Sequence, residues 1–161
     1  MRTLLSGTSI VAFTGSQIIS KEDKSLIEFV ISNMVEPDGF ITGGCIGVDY
    51  FVAQMITKYF PDTKHIAILP SNLSKVPKDV HEYATHIIKL EKGTTYRDRN
   101  EAMIRNGTSL IAFWTGKKAY SGTYMTMNIA SRENKLKLSD IYMIGKNIGL
   151  DPKDYYARAL L

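Results

Sequence analysis

Short apolar runs alternate along the chain with longer segments in which apolar residues recur every three or four positions. The short runs are typical of strands buried on both faces, and the longer period predicts amphipathic helices. The clearest helix follows Ser20, a good N-cap, and has Asp23 in its first turn. The predicted strands are residues 9–13, 40–42, 65–69, 85–90, 109–114 and 141–144. The predicted helices are residues 21–35, 48–60, a short one at 79–83, 95–106 and 123–134.

Strands that alternate with helices of this length indicate parallel pairing, because a parallel crossover needs a long connection. We therefore predict an α/β fold with a doubly wound, mainly parallel sheet and helices on both faces. In such sheets a ligand lies outside the carboxyl ends of the strands. Three segments follow strands at those ends, namely residues 14–16, 43–44 and 115–123. We expect them to converge on one site.

The length of 161 residues, with 44% hydrophobic and 22% charged residues, fits one globular domain. We take residues 1–161 as that domain, with the motifs in a core at about 9–145 and a tail at 146–161. The tail carries Tyr155, Tyr156 and Leu160. We expect it to pack as a short helix on this chain or on a neighbouring one.

Cysteine and histidine usage points to a cytoplasmic protein without a metal site. Cys45 is the sole cysteine, so no intramolecular disulfide can form. His65, His81 and His86 are dispersed and lack the spacing of metal ligands. The amino terminus lacks the features of a signal peptide, and no segment is long and apolar enough to span a bilayer. We expect no membrane partner.

The formal net charge of +4 and the pI near 9.1 are compatible with phosphate or nucleic-acid partners. The basic residues are spread along the chain and form no basic tail. Charge alone therefore selects no partner.

Two glycine-containing turns lie between a predicted strand and the helix that follows it. Glycine lets a ligand approach the backbone closely, and the N–H groups at a helix start attract anions. Helix-to-sheet packing would also require glycines in the first turn, so shaping the fold is the alternative role there. The first turn contains Gly43, Gly44 and Gly47, and the second is formed by Ser121, Gly122 and Thr123.

Two residues beside the first glycine turn have alternative roles. Asp49 stands in the first turn of the helix, where it either complements the helix dipole or accepts hydrogen bonds from a ribose or the glycine turn. Cys45 at a helix start would be a candidate nucleophile. No histidine is close in sequence to serve as its base, so we expect a small buried residue.

Further candidate ligands follow the first, fourth and fifth strands. Gly15 and Ser16 come after the first strand, where the Ser16 hydroxyl either donates to a ligand oxygen or bonds locally in a turn. Arg99 offers a planar fork of donors that fits phosphate, and Asn100 both donates and accepts hydrogen bonds. The long loop at 114–123 carries Lys117 and Lys118, which either reach a phosphate or remain solvated. We expect Trp114 to pack beneath this loop.

These motifs together resemble the SLOG superfamily, a Rossmann-like group that includes DNA-processing protein A (DprA) and the LOG proteins. The resemblance spans about residues 11–130. It implies a Rossmann-like sheet, a nucleotide or nucleotide-derived ligand held over these loops, and often a homo-oligomer. The residues that carry it are Gly15, Ser16, Gly43, Gly44, Gly47, Asp49, Arg99, Asn100, Ser121, Gly122 and Thr123. We assign all of them to nucleotide or phosphate binding, and no cofactor beyond the nucleotide is implied.

The resemblance leaves three functions open. The first is nucleotide binding by a sensor, carrier or weak enzyme, and the second is DprA-like binding of single-stranded DNA. The third is LOG-like hydrolysis of the N-glycosidic bond of a nucleoside monophosphate, for which that group carries a glutamate in its second glycine motif. Thr126 stands at that position here, and a hydroxyl cannot replace a carboxylate as general base. Hydrolysis is therefore the least favoured of the three.

Overall fold

The computed structural model describes residues 9–145, which form one six-stranded, all-parallel sheet with four α-helices. The strands are β1 (Ile10–Gly15), β2 (Gly39–Thr42), β3 (Lys64–Leu69), β4 (His86–Lys89), β5 (Ser109–Trp114) and β6 (Leu136–Met143). The helices are α1 (Lys21–Asn33), α2 (Val48–Tyr59), α3 (Tyr96–Asn106) and α4 (Gly122–Arg132), with a 3₁₀ helix at Val80–Tyr83. Both the α/β class and the parallel sheet predicted from the sequence are confirmed.

The strand order β4-β3-β2-β1-β5-β6 places β1 near the centre of the sheet. The chain first moves outward through β2, β3 and β4, and then returns through α3 to lay β5 against the other side of β1. The order therefore reverses between β1 and β5. In open α/β sheets this is where a crevice forms outside the carboxyl ends of the strands.

Each face of the sheet carries its own apolar core. Along β1, Ile10 and Ala12 point into a cluster shared with α3 and α4, whereas Val11 and Phe13 point into a cluster shared with α1 and α2. All four side chains are buried, as expected for a strand covered on both faces. The two helical layers hold the strand ends, and thus the loops that follow them, in fixed positions.

Capping boxes fix the starts of α1 and α3. Ser20 Oγ accepts a hydrogen bond from the Asp23 N–H at 3.1 Å, and Asp23 Oδ2 accepts one from the Ser20 N–H at 2.9 Å. Thr95 and Asp98 repeat this exchange, at 3.1 and 2.7 Å, before α3. Such a cap contributes about 1 kcal/mol. The α3 box matters for function because this helix start carries candidate ligands.

Most elements begin or end one or two residues from their predicted bounds, and the largest difference is at β6. That strand begins at Leu136, five residues before its predicted start. Residues 137–139 of this strand are exposed because β6 lies at an edge of the described sheet, beside β5. A bulge separates the Leu110–Leu136 pair from the Ala112–Ile141 pair. Helix α4 ends at Arg132 and not at Asn134, since Asn134 adopts a left-handed backbone with φ of 57°. The tail helix expected after residue 146 lies outside the described residues.

Candidate functional site

A cleft of about 880 Å³ opens at the carboxyl ends of β1 and β5, where the strand order reverses. Its walls come from the loop after β1, the start of α2, the start of α3, and the β5–α4 loop with the exposed face of α4. Of the predicted ligand-binding residues, the following line it: Gly15, Ser16, Asp49, Arg99, Asn100, Ser121, Gly122 and Thr123. Of the three segments predicted to converge, residues 14–16 and 115–123 meet at this cleft and residues 43–44 do not line it. The binding roles stay predictions.

Gly43, Gly44 and Gly47 lie beneath the cleft and do not line it. Gly44 and Gly47 have φ of 74° and 87°, a left-handed backbone that strains any other residue. A Cβ on Gly44 would collide with the Leu69 side chain, and one on Gly47 would collide with the carbonyl oxygen of Ser16. The first glycine turn thus packs the start of α2 closely against the loop after β1.

Arg99 joins the start of α3 to the first glycine turn. Its Nη1 donates a hydrogen bond to the Gly43 carbonyl oxygen at 2.6 Å, and its Nε donates one to Asn100 Oδ1 at 2.9 Å. The guanidinium lies 5.4 Å from the centre of the Tyr96 ring, and the residue is 7% exposed. Within residues 9–145, Nη2 has no hydrogen-bond partner. Arg99 therefore mainly links α3 to the first glycine turn, and its Nη2 remains for a ligand in the cleft.

Asp49 is buried next to the hydrogen bond between Arg99 and Gly43. Its Oδ2 accepts a hydrogen bond from the Cys45 N–H at 3.4 Å, and the same oxygen and Arg99 Nη1 both lie 2.6 Å from where a Cβ of Gly43 would stand. Burial raises the pKa of Asp49 to about 6, against the lowering effects of the Arg99 charge and the Cys45 N–H. Asp49 therefore bonds to the glycine turn, one of the two roles expected for it.

Cys45 is 2% exposed, as predicted for a small buried residue. Burial raises its thiol pKa, and the nearby Asp49 charge raises it further. A raised pKa keeps the thiol protonated at neutral pH, which is the opposite of what a nucleophilic cysteine needs. Cys45 thus contributes packing at the floor of the cleft.

The second glycine turn is open, unlike the first. Ser121 Oγ caps α4 by accepting a hydrogen bond from the Tyr124 N–H at 3.1 Å. A Cβ built on Gly122 would meet nothing within 4 Å. The N–H groups of Gly122 and Thr123 belong to the first helical turn, which has no intrahelical acceptors. This helix start therefore presents donors to the cleft.

The cleft is strongly cationic. Among the described residues that line it, the one carboxylate is Asp49, and the cations are Lys75, Arg97, Arg99, Lys117, Lys118 and Arg132. Three tyrosines also line it, Tyr96, Tyr120 and Tyr124. A concave surface of this charge attracts anions, and its aromatic rings offer faces for a planar group.

Several cleft residues were not predicted from the sequence. Tyr124, Asn128 and Arg132 follow one another at intervals of four on α4, so helical spacing would have grouped them. Lys75 carries no local signal, because its placement depends on the distant bond from the Ile46 N–H to its carbonyl oxygen, at 2.8 Å. Arg105, in the last turn of α3, does not line the cleft.

Trp114 lies beneath the β5–α4 loop, as predicted. It is fully buried, its Nε1 donates a hydrogen bond to the Lys117 carbonyl oxygen at 2.8 Å, and its ring stacks on Tyr124 with centroids 6.1 Å apart. Thr126 is also fully buried, and its hydroxyl donates to the Gly122 carbonyl oxygen at 2.8 Å. The position that holds a glutamate in the LOG motif therefore faces its own helix here.

Histidines contribute nothing to the cleft. His65 is buried in β3 between the Thr42 hydroxyl at 2.8 Å and the Tyr83 carbonyl oxygen at 2.5 Å, and burial lowers its pKa to about 4. No group of three or more histidine, cysteine or carboxylate side chains suited to a metal ion occurs within residues 9–145. The helices in this part of the chain are all too short or too polar to cross a membrane.

No protein-family model and no curated protein sequence matches the chain, whereas several solved structures do. DprA from Streptococcus pneumoniae aligns with 96% of this chain at 21% identity and a TM-score of 0.71, and the chain spans 56% of that protein. DprA from Helicobacter pylori, reported with a single-stranded DNA binding mode, aligns with 97% at 16% identity and a TM-score of 0.68, over 74% of its own length.

A third similar structure is the molybdenum cofactor carrier protein of Chlamydomonas reinhardtii. It aligns with 94% of this chain and 98% of its own at 11% identity and a TM-score of 0.57. Identities this low bear on the fold alone. With the parallel strand order described above, they show that the chain has a Rossmann-like fold similar to that of DprA.

Proposed function

We propose that this protein binds a nucleotide or a nucleotide derivative in the cleft between the ends of β1 and β5. The observation that carries the proposal is the charge of the cleft, where six cationic side chains accompany one carboxylate beside the open start of α4. Its volume of about 880 Å³ lies within the range of about 300–1,000 Å³ typical of small-molecule sites. A sensor, carrier or weak enzyme would each need such a site.

The phosphate of the ligand belongs at the second glycine turn. The first-turn N–H groups of Gly122 and Thr123 can donate hydrogen bonds to an anion, and the positive end of the α4 dipole adds to the attraction. Lys117 and Lys118 stand on the preceding loop, line the same cleft and add positive charge. The space above Gly122 leaves room for a phosphate to approach the backbone.

Single-stranded DNA is the second candidate ligand. It is supported by the spread of the cations over four segments, from the loop holding Lys75 to the end of α4 at Arg132, and by the similarity to DprA structures. A strand-binding groove combines such charges with exposed aromatic rings. Hydrolysis of an N-glycosidic bond has less support, because Thr126 stands where the LOG motif has its glutamate. Glu101, a carboxylate on α3 that could replace it, pairs with Arg97 at 3.1 Å and does not line the cleft.

Thermal shift with a panel of nucleoside mono-, di- and triphosphates tests the nucleotide proposal, since a ligand that binds only the native state raises the Tm. We expect a shift in the wild type that the double variant Lys117→Glu/Lys118→Glu loses. The matched control is Lys64→Glu/Lys137→Glu, which changes the net charge equally at exposed positions outside the cleft. Equal shifts in both double variants would contradict the proposed site.

Fluorescence anisotropy with a labelled oligothymidine at rising salt tests the DNA alternative. Binding led by phosphate contacts weakens with salt, with a slope of about −0.7 per contact for single strands. The Lys117→Glu/Lys118→Glu variant should then show a shallower slope than its control. Affinity that does not change with salt would eliminate this mode.

A further inference from the structure

Tyr120 occupies a position that the fold does not explain. Its side chain is fully exposed, and its backbone has φ of 54°, in the left-handed region that favours glycine or asparagine. A tyrosine held in this conformation costs free energy and, being fully exposed, recovers none of it by burial. Strain of this kind persists where the residue serves a purpose outside the fold.

The loop around Tyr120 is held at both ends. Trp114 Nε1 binds the Lys117 carbonyl oxygen at 2.8 Å on one side, and Ser121 Oγ caps α4 on the other. The backbone at Tyr120 therefore carries the exposed ring at the wall of the cleft, next to the open backbone at Gly122.

The other two tyrosines of the cleft already contact partners within the protein. Tyr96 lies against the Arg99 guanidinium at 5.4 Å, and Tyr124 stacks on Trp114 at 6.1 Å. Of the three, Tyr120 is the one whose ring faces are open among the described residues. Its neighbours Lys117 and Lys118 favour an anionic ligand, so a ligand that suits both carries a phosphate and a planar ring.

The geometry points to Tyr120 as the residue that selects a base-bearing ligand, by stacking on the nucleobase while the lysines and the start of α4 hold the phosphate. This inference rests on the proposed function and adds that the cleft recognises a nucleobase as well as a phosphate. Stacking on an aromatic side chain tolerates every base, because each base has a π face. Tyr120 therefore separates nucleotides from sugar phosphates without fixing the identity of the base.

Calorimetric titration with AMP, GMP, CMP, UMP and ribose 5-phosphate tests the inference. In the wild type we expect the tightest nucleotide to bind about tenfold or more tightly than ribose 5-phosphate. Tyr120→Ala should lower nucleotide affinity to that of ribose 5-phosphate, whose own affinity stays unchanged, and Tyr120→Phe should retain the preference. Phe29→Ala, at an exposed ring on α1 outside the cleft, is the matched control.

Tyr120→Asn separates binding from folding, because asparagine tolerates a left-handed backbone. We expect an equal or higher Tm and loss of the preference for nucleotides. A lower Tm would show that the ring supports the fold, and a nucleotide preference retained in Tyr120→Ala would also overturn the inference. Should Tyr120→Ala instead abolish a dimer in sedimentation while the preference remains, the ring belongs to an interface between copies. Wild-type protein that binds none of these probes would refute the proposed function itself.

Discussion

Both glycine turns lie between a strand and the start of a helix, but their surroundings in the structure differ. The first, at Gly43 to Gly47, is closed, because side chains and backbone fill the space around each glycine. The second, at Gly122, is open, and a Cβ there would touch nothing within 4 Å. A glycine next to a helix start can therefore serve the packing of the fold or the access of a ligand, and only its surroundings distinguish the two.

Gly47→Ala should break the first turn and has the largest expected effect. The substitution combines a left-handed φ of 87° with a collision against the backbone of Ser16 and Gln17, so we expect a loss of about 2–5 kcal/mol. Gly93→Ala is the control, since Gly93 has φ of 94° and nothing within 4 Å of its Cβ position. Urea denaturation should give about 1–2 kcal/mol there. Equal losses would mean that packing around Gly47 is unimportant.

Arg99→Ala should also destabilise the closed region, by about 2–4 kcal/mol, because it removes the donor to the buried Gly43 carbonyl and leaves Asp49 without its nearby positive charge. Arg97→Ala breaks an exposed pair with Glu101, for which we expect less than about 1 kcal/mol. Both are measured by urea denaturation. An Arg99→Ala protein that is as stable as the wild type, yet unable to bind nucleotide, would show that Arg99 binds the ligand and does not stabilise the fold.

Asp49→Asn probes the charge buried in the closed region. The pKa of Asp49 is raised from 3.8 to about 6 on folding, so its contribution to stability is fully present below pH 4 and is lost as pH rises toward 6. We expect the free energy of unfolding of the wild type to fall by up to about 3 kcal/mol, relative to Asp49→Asn, over this range. Urea midpoints at pH 4 and pH 7 measure it. Parallel pH profiles would show that burial does not raise this pKa.

Gly122→Ala has the smallest expected effect on the fold and tests the open region. Alanine is favoured over glycine in a helix by about 1 kcal/mol, and nothing obstructs its methyl group here, so stability should stay constant or rise slightly. The nucleotide-dependent rise in Tm should decrease, because the methyl group occupies the space above the backbone. A decrease in stability like that of Gly47→Ala would remove the contrast between the turns.

The sequence predicted the architecture because strands buried on both faces produce apolar runs that stand out between helices. Edge strand β6 was predicted only in part, since Lys137 and Asp140 need no burial there and break the apolar run. The sequence also predicted that the loops after β1 and β5 meet, because loops at the carboxyl ends of parallel strands lie at one edge of the sheet. That prediction requires no knowledge of side-chain contacts. Whether Gly44 meets a ligand or Leu69 depends on a residue 25 positions away, and no local pattern carries that information.

The contact between Trp114 and Lys117 gives the molecule a built-in optical probe. The chain contains a single tryptophan, and its indole N–H is bonded to the loop that we place over the phosphate. Its fluorescence therefore arises from one known environment. A displacement of that loop would alter the emission spectrum directly, so movements during recognition can be timed in solution without attaching a dye.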